Sequence, residues 1–443
     1  MKVRISNGNV VLNDKIVKTD ILLKDGVIKA VNVKKNPAAD EEVIDASGKY
    51  ILPGFIDIHT NGMAGYDTTN GKFDVSTGNF STSKNDYNSA LEEALKNYLQ
   101  HGTTLVGLTT LEAPVSKLKK VFNYVGNYKS GSSPLADVIF GIYMEGTFMK
   151  DENYKGAHNP KYFISPSVKL FKEFQEAAKG TIKIVNVVPE WGSAGLKLIR
   201  HLRSTGVIAA MGHTGATADE TGKAIENGAS IGIHLFNGPS LSSYKPFGGG
   251  GAVEAFIKSD DVFVELISDG YHIDKSYLLD VIKRKGIDKS VIITDGMFTI
   301  NKRDIKEFVI TGVKVKVSKN KEYLMIAENK KKLALAGSSL TMDKAFENLV
   351  NWYTVEQTGV WNKIHKPLKL DEAILTASKL CSDTPAKALK VFDKSRESGI
   401  PGTGSIAAGK KANVVIADIS RSSGKYKCKL EKVFLNGIDS AQL

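Results

Sequence analysis

Residues 206–237, GVIAAMGHTGATADETGKAIENGASIGIHLFN, decide the fold. Two short apolar runs flank a polar stretch with helical spacing, and each run leads into a histidine, His213 and His234. Outward from here the same texture recurs in TTLVGLTT (103–110), DVIFGIYME (137–145), TIKIVNVVPE (181–190), VFVELISDG (262–270) and SVIITDG (290–296). Short strands alternating with helices imply a parallel barrel or an open parallel sheet. The two ends of the chain read differently. VRISNGNVVLN, DILLKDGVIKAVNV with a turn at Asp25-Gly26, and EVIDASGKYILPG are strands, and the tail returns to strands in GTGSIAAGKKANVVIADI and KLEKVFLNGID. The simplest architecture is an α/β one, with a barrel over 53–388 and a small β-sandwich built from 1–52 together with 389–443. A lysine-rich, strand-like segment at 301–332 reads as a hairpin inserted before Leu333.

Composition bounds the function. With 443 residues, 42% hydrophobic and 24% charged, the chain can bury a large core and is neither collagen-like, disordered nor disulfide-stapled. Cys381 and Cys428 are too few for a disulfide framework and lack the spacing of a thiolate zinc site, which points to a reducing compartment. The opening MKVRISNGNVVLNDKIV has no signal-peptide core, and no stretch reaches the roughly 18 apolar residues of a membrane span, so a cytoplasmic protein is expected. Lysine plus arginine exceed the acids by 60 − 48 = 12, a field that favours an anionic ligand. The basic runs lack interleaved aromatics, so they read as solvated surface, and neither nucleic acid nor membrane is expected as a partner.

The chemistry gathers at strand ends, where the loops of a barrel converge on one mouth. His59 and Asn61 follow FIDI, Glu145 follows IFGIYM, His213 and His234 close their own runs, and Asp295 follows VIIT. Glu145, His213 and His234 form a mixed oxygen and nitrogen set that suits zinc, or iron, manganese or cobalt, with a position open for water. Such an ion lowers the pKa of water toward about 7 and polarises a carbonyl oxygen. Asp295 is placed to take the proton of that water and deliver it to a leaving nitrogen; the alternative is a helix N-cap. His158, in the glycine-flanked GAHNP loop, could polarise a substrate carbonyl or be a surface histidine. His272 in SDGYH could donate to a sugar hydroxyl or begin a helix in solvent. Asn237-Gly238 and the glycine run 248–251 are loops where backbone can approach a ligand.

Taken in order, PGFIDIHTNGMAGYD, IYMEGTFMKDENYKGAHNP, MGHTGATADE, IHLFNGPS, LISDGYH, IITDGMF, LAGSSLTMDKAFENLV and GTGSIAAGKKANVVIAD resemble the N-acetylglucosamine-6-phosphate deacetylases of the amidohydrolase superfamily over nearly the whole chain. The resemblance implies a distorted (β/α)8 TIM barrel with a β-sandwich from both termini, usually dimeric, that removes acetate from an N-acetylated amino sugar phosphate. It makes Glu145, His213 and His234 the metal ligands with His59 a further candidate, and Asp295 the catalytic carboxylate. His158 falls at the acyl carbonyl, His272 at the sugar, and Asn237 and Gly238 at the phosphate. The sequence departs from the family pattern twice. Asn61 stands where many members carry a second histidine, so one metal ion is expected rather than two. Tyr244 stands where the family has a phosphate-binding arginine, leaving the adjacent Lys245 as the candidate cation, a point charge without the bidentate fork. Two rival readings are a deacetylase of another N-acyl sugar or N-acyl amino acid, and a non-catalytic scaffold of the same fold.

Overall fold

Eight strands pair in parallel and in chain order: β1 (Phe55–Thr60), β2 (Thr103–Thr110), β3 (Ile139–Phe148), β4 (Ile182–Val187), β5 (Ile208–Met211), β6 (Ala229–Gly232), β7 (Phe263–Ile267) and β8 (Ser290–Ile293). The computed structural model describes residues 2–33, 36–241, 250–302, 304–327, 334–393 and 398–443. Helices follow the strands, from Lys84–Gln100 after β1 to Met342–Tyr353 after β8. Every residue of β2 is buried, which is why TTLVGLTT reads as a continuous run rather than an alternating one: helices cover its outer face and the barrel interior its inner face.

The barrel closes irregularly between β8 and β1. Among the described residues no regular ladder joins them; the Asp295 N–H donates to the His59 carbonyl (2.9 Å), and Thr60 bridges Gly296. Beneath this contact the buried Asp57 carboxylate accepts from the Thr294 N–H (3.2 Å) and hydroxyl (2.5 Å). The seam therefore sets His59 and Asp295, 236 residues apart in sequence, side by side at the mouth.

Strands from both termini share one sheet. Val414–Ser422 pairs with Tyr50–Pro53, which pairs with Lys2–Val11, and the hairpin Ile16–Lys24 and Val27–Val31 continues it through the expected turn at Asp25-Gly26. Lys2–Val11 bulges between Ile5 and Gly8, so its first half pairs with Glu42–Asp45 and its second with Tyr50–Pro53. The folded-over sheet encloses its own apolar cluster, including Ile5, Ile21, Ile28, Ile51, Val414 and Phe434, separate from the barrel core.

Two elements differ from the sequence reading. The hairpin expected at 301–332 is a four-stranded antiparallel sheet of Glu307–Ile310, Val313–Val317, Tyr323–Ile326 and Leu335–Ser338. Its last strand extends past the expected end because it is also stitched to the barrel, with the Ser338 N–H donating to the Asp295 carbonyl (2.8 Å) and the Ser338 hydroxyl to the Thr294 carbonyl (2.5 Å). A second small sheet, Gly62–Met63, Tyr66–Asp67, Gly71–Asp74 and Asn79–Ser81, follows β1 directly. Phe73 of that sheet packs on Phe298, which in turn packs on Phe308 of the inserted sheet, so the two additions share one apolar cluster. Among the described residues no helix is long and apolar enough to cross a membrane.

Candidate active site

A cavity of about 320 Å³ opens at the carboxyl ends of the strands. Its lining combines Asn61, Glu145, His158, His213, His234, His272 and Asp295 with the apolar Leu111, Ala157, Met297 and Ile310. Asn237 and Gly238 lie on its rim. Tyr244 and Lys245 lie outside the described residues.

Glu145 is the hub. Its Oε1 lies 2.9 Å from His234 Nε2, 3.5 Å from His213 Nε2 and 3.8 Å from His158 Nε2, while Oε2 lies 3.4 Å from His59 Nε2. The donors form two overlapping groups, His59–Glu145–His234 and Glu145–His158–His213, each with its ligand atoms within 4.8 Å of one another. His59 Nε2 and His234 Nδ1 are buried and hydrogen-bond to nothing among the described residues. The unpaired His59 Nε2 lies beside the Glu145 carboxylate, where a divalent cation would satisfy it; the His234 nitrogen turned to Glu145 is Nε2. The residues therefore fit a metal, and Glu145 would sit at its centre.

Electrostatics agree with that chemistry. Burial alone would raise Glu145, but His59, His158 and His234 hold its carboxyl well below the usual range. Burial, helped by His158 and His234, drives His213 well below an ordinary histidine and keeps its ring neutral, the form that binds metals. Burial raises Asp295 despite the opposing pull of His59 and His234, as suits a carboxylate that must take and give a proton.

Local backbone aims these groups. His213 and Asp295 both have positive φ, 51° and 49°, a left-handed conformation that turns a side chain back across the strand end. Gly238 allows the loop after β6 to close over His213, since a Cβ there would fall 2.7 Å from His213 Nδ1. Asn186, in β4, ties the ends of β3 and β5 together through the Glu145 carbonyl (3.0 Å) and the Gly212 carbonyl (3.1 Å).

The structure removes the helix-cap reading of Asp295 and the surface readings of His158 and His272. No helix starts at Asp295; among the described residues the next α-helix is Met342–Tyr353, and the Asp295 Oδ1 instead accepts from the Asn61 amide (2.6 Å). His158 is not a surface residue: its side chain is 4% exposed. His272 is buried too, with Nδ1 against Asp269 Oδ2 at 2.6 Å, and the following helix is capped by Asp274. His59 sits beneath the cavity, its Nδ1–H donating to Glu265 Oε2 (2.9 Å). Glu265, which also accepts from the Tyr143 hydroxyl (3.2 Å) and the His234 N–H (3.3 Å), escaped sequence reasoning, as did Glu112, the partner of His158. Each had a signal: Glu265 is a lone acid inside VFVELIS, and Glu112 follows the end of β2, as Glu145 stands near the end of its own apolar run.

No family model matches the chain. The N-acetylglucosamine-6-phosphate deacetylase of Bacillus subtilis (strain 168) is 28% identical over 413 residues, 92% of this chain and 91% of that protein. The N-acetylgalactosamine-6-phosphate deacetylase of Escherichia coli O157:H7 is 27% identical over 400 residues, 89% of each. Among solved structures, a mutant N-acetyl-D-glucosamine-6-phosphate deacetylase from Mycobacterium smegmatis, in complex with N-acetyl-D-glucosamine-6-phosphate, superposes with a TM-score of 0.77 at 24% identity, over 99% of both chains. That last likeness concerns the fold.

Proposed function

We propose that the chain, 28–29% identical to N-acetylglucosamine-6-phosphate deacetylases, is a member of that family within the amidohydrolase superfamily and hydrolyses the acetamide of an N-acetylhexosamine 6-phosphate, first of all N-acetylglucosamine 6-phosphate, to acetate and the amino sugar phosphate. The observation that carries this reading is the convergence of Glu145, His213, His234 and Asp295, from four strand ends, on one cavity.

Glu145, His213 and His234 would hold a single divalent ion, zinc by preference, with His59 as a further ligand. The ion supplies polarisation of the acyl oxygen and a water acidic enough to ionise near neutral pH. Asp295 accepts the proton of the attacking water and passes it to the departing nitrogen. Asn61, donating to Asp295 Oδ1 at 2.6 Å, keeps that carboxylate turned to the reacting centre. The His158 Nε2–H donates to the acyl oxygen as negative charge gathers there. His272, steadied by Asp269, bonds a sugar hydroxyl, and Asn237 and Gly238 take the phosphate through the backbone, with Lys245, eight residues after Asn237 in sequence, as the candidate cation.

Catalysis belongs to the 53–388 unit, the sheet of 1–52 and 389–443 acting as scaffold. The unpaired Cys381 and Cys428 favour a reducing, cytoplasmic setting, and the resemblance favours a homodimer. The test is acetate release from N-acetylglucosamine, its 6-phosphate and N-acetylgalactosamine 6-phosphate under matched conditions. The 6-phosphate of the glucosamine series should have the highest kcat/KM. Preference for the free sugar would overturn the phosphate assignment, and preference for the galactosamine series would overturn the epimer.

A further inference from the structure

Glu112 belongs to no part of the mechanism above, yet it is a carboxylate whose side chain is fully buried within the wall of the active site. It follows β2, 46 residues before His158 in sequence, and both of its oxygens are committed to the His158 loop. Oε2 accepts from His158 Nδ1, and Oε1 accepts from the Asn159 N–H at 2.6 Å. One carboxylate thus grips the imidazole by its far nitrogen and the backbone by the next residue, which fixes the ring plane and leaves Nε2 facing Glu145 at 3.8 Å across the cavity. Space for this grip is reserved within β3 itself: a Cβ at Gly146, the neighbour of Glu145, would collide with the Glu112 N and Oε2 and fall 2.9 Å from His158 Nδ1. The gap left by glycine is filled by the carboxylate and the ring.

We propose that Glu112 is a positioning residue for the hydrolysis, holding His158 so that its Nε2–H meets the acyl oxygen of the substrate. This rests on the deacetylase reading and on the role given to His158 within it. A ring whose Nδ1–H is anchored by a buried carboxylate has its orientation set before substrate arrives, and the negative charge of Glu112 stabilises the doubly protonated ring, whose Nε2 carries the proton it donates, so stabilising the developing charge costs no reorganisation. The carboxylate is required because it has two acceptors; a glutamine has one oxygen and must surrender either the Asn159 N–H or the His158 Nδ1–H.

The experiment is a double-mutant cycle on the metal-loaded enzyme, using E112Q, H158Q and the pair, with acetate release from N-acetylglucosamine 6-phosphate read as separate kcat and KM. E112Q should lower kcat by about 10- to 100-fold, the usual range for a partner that orients an active-site histidine, with KM within about threefold. In the H158Q background the same substitution should change kcat by less than about twofold. Equal losses in both backgrounds would make Glu112 a support of the loop alone and overturn the proposal. E112D, which keeps the charge but draws the oxygens back, gives the same cycle if E112Q is not recovered folded.

An independent readout is the imidazole N–H proton spectrum of the uniformly ¹⁵N-labelled protein. A slowly exchanging His158 Nδ1–H signal, identified by its loss in H158Q, should vanish in the Glu112 variant; its persistence there would overturn the proposal. Should the parent release no acetate from any N-acetylhexosamine phosphate, the functional reading fails on that result, whereas this spectrum still reports whether Glu112 holds His158.

Discussion

Asp295→Asn separates chemistry from architecture more cleanly than any other single change. The backbone at position 295 has φ of 49°, and asparagine tolerates that left-handed region better than most residues. The Asp295 N–H to His59 carbonyl bond is untouched, and an asparagine oxygen can still accept from the Asn61 amide. Replacement of a buried carboxylate whose ionisation burial already opposes adds no new desolvation cost. The folded protein should therefore stay within about 1 kcal/mol of the parent, the range of substitutions that create neither a cavity nor an unpaired charge. An amide cannot take a proton from water, and a general base and acid contributes about 10²- to 10⁴-fold, or about 2.7 to 5.4 kcal/mol of barrier. The assay is acetate release at saturating substrate and metal, with metal content and thermal midpoint measured on the same preparation. A turnover within about tenfold of the parent, with metal retained, would refute the assignment and leave Asp295 as part of the β1–β8 seam only.

His213→Ala should reduce metal content and turnover together, because His213 and Glu145 approach to 3.5 Å and alanine supplies no ligand; a metal-depleted variant that keeps its activity would contradict the ligand set. Since Asp295 must be ionised to act and burial raises it, kcat/KM should fall as pH drops through a value above the ordinary 3.8, and this acid limb should be lost in Asp295→Asn. Away from the site, His101 packs against Asp343, which lifts the histidine above 6.5 despite its burial. That contribution to stability is complete below about pH 6.5 and is lost as pH rises through the raised value, while the Asp343 share, with its carboxyl held below 3.8, is lost only in strong acid. Parent and His101→Ala should thus differ more in thermal midpoint at about pH 5.5 than at about pH 9.5 or above, and an equal difference would show that the pair does not titrate as linked.

The barrel was legible because strands covered on both faces leave unbroken apolar runs, and because a polar residue placed directly after such a run has to lie at the mouth. Glu145, His213, His234 and Asp295 were all visible on that rule. The sheet over residues 62–81 was not, since strands of two to four residues carry no period to detect. Leu335–Ser338 was separated from the inserted sheet for a related reason: its apolar run reads equally as the end of an insertion or as a return to the barrel, and it serves as both. Glu112 and Glu265 went unremarked in the sequence. Their histidines lie 46 and 206 positions away, and only the barrel's closure brings them into contact.

The central claim, a metal-dependent amide hydrolase acting on an N-acetylated sugar phosphate, is tested most directly by returning zinc to metal-stripped protein while following acetate release from N-acetylglucosamine 6-phosphate. Turnover should be negligible after stripping and should rise to a plateau at about one equivalent per chain, as expected for one ligand set of Glu145 with His213 and His234 gathered on it. Acetate release that is indifferent to stripping, or absent at every metal concentration, would contradict it.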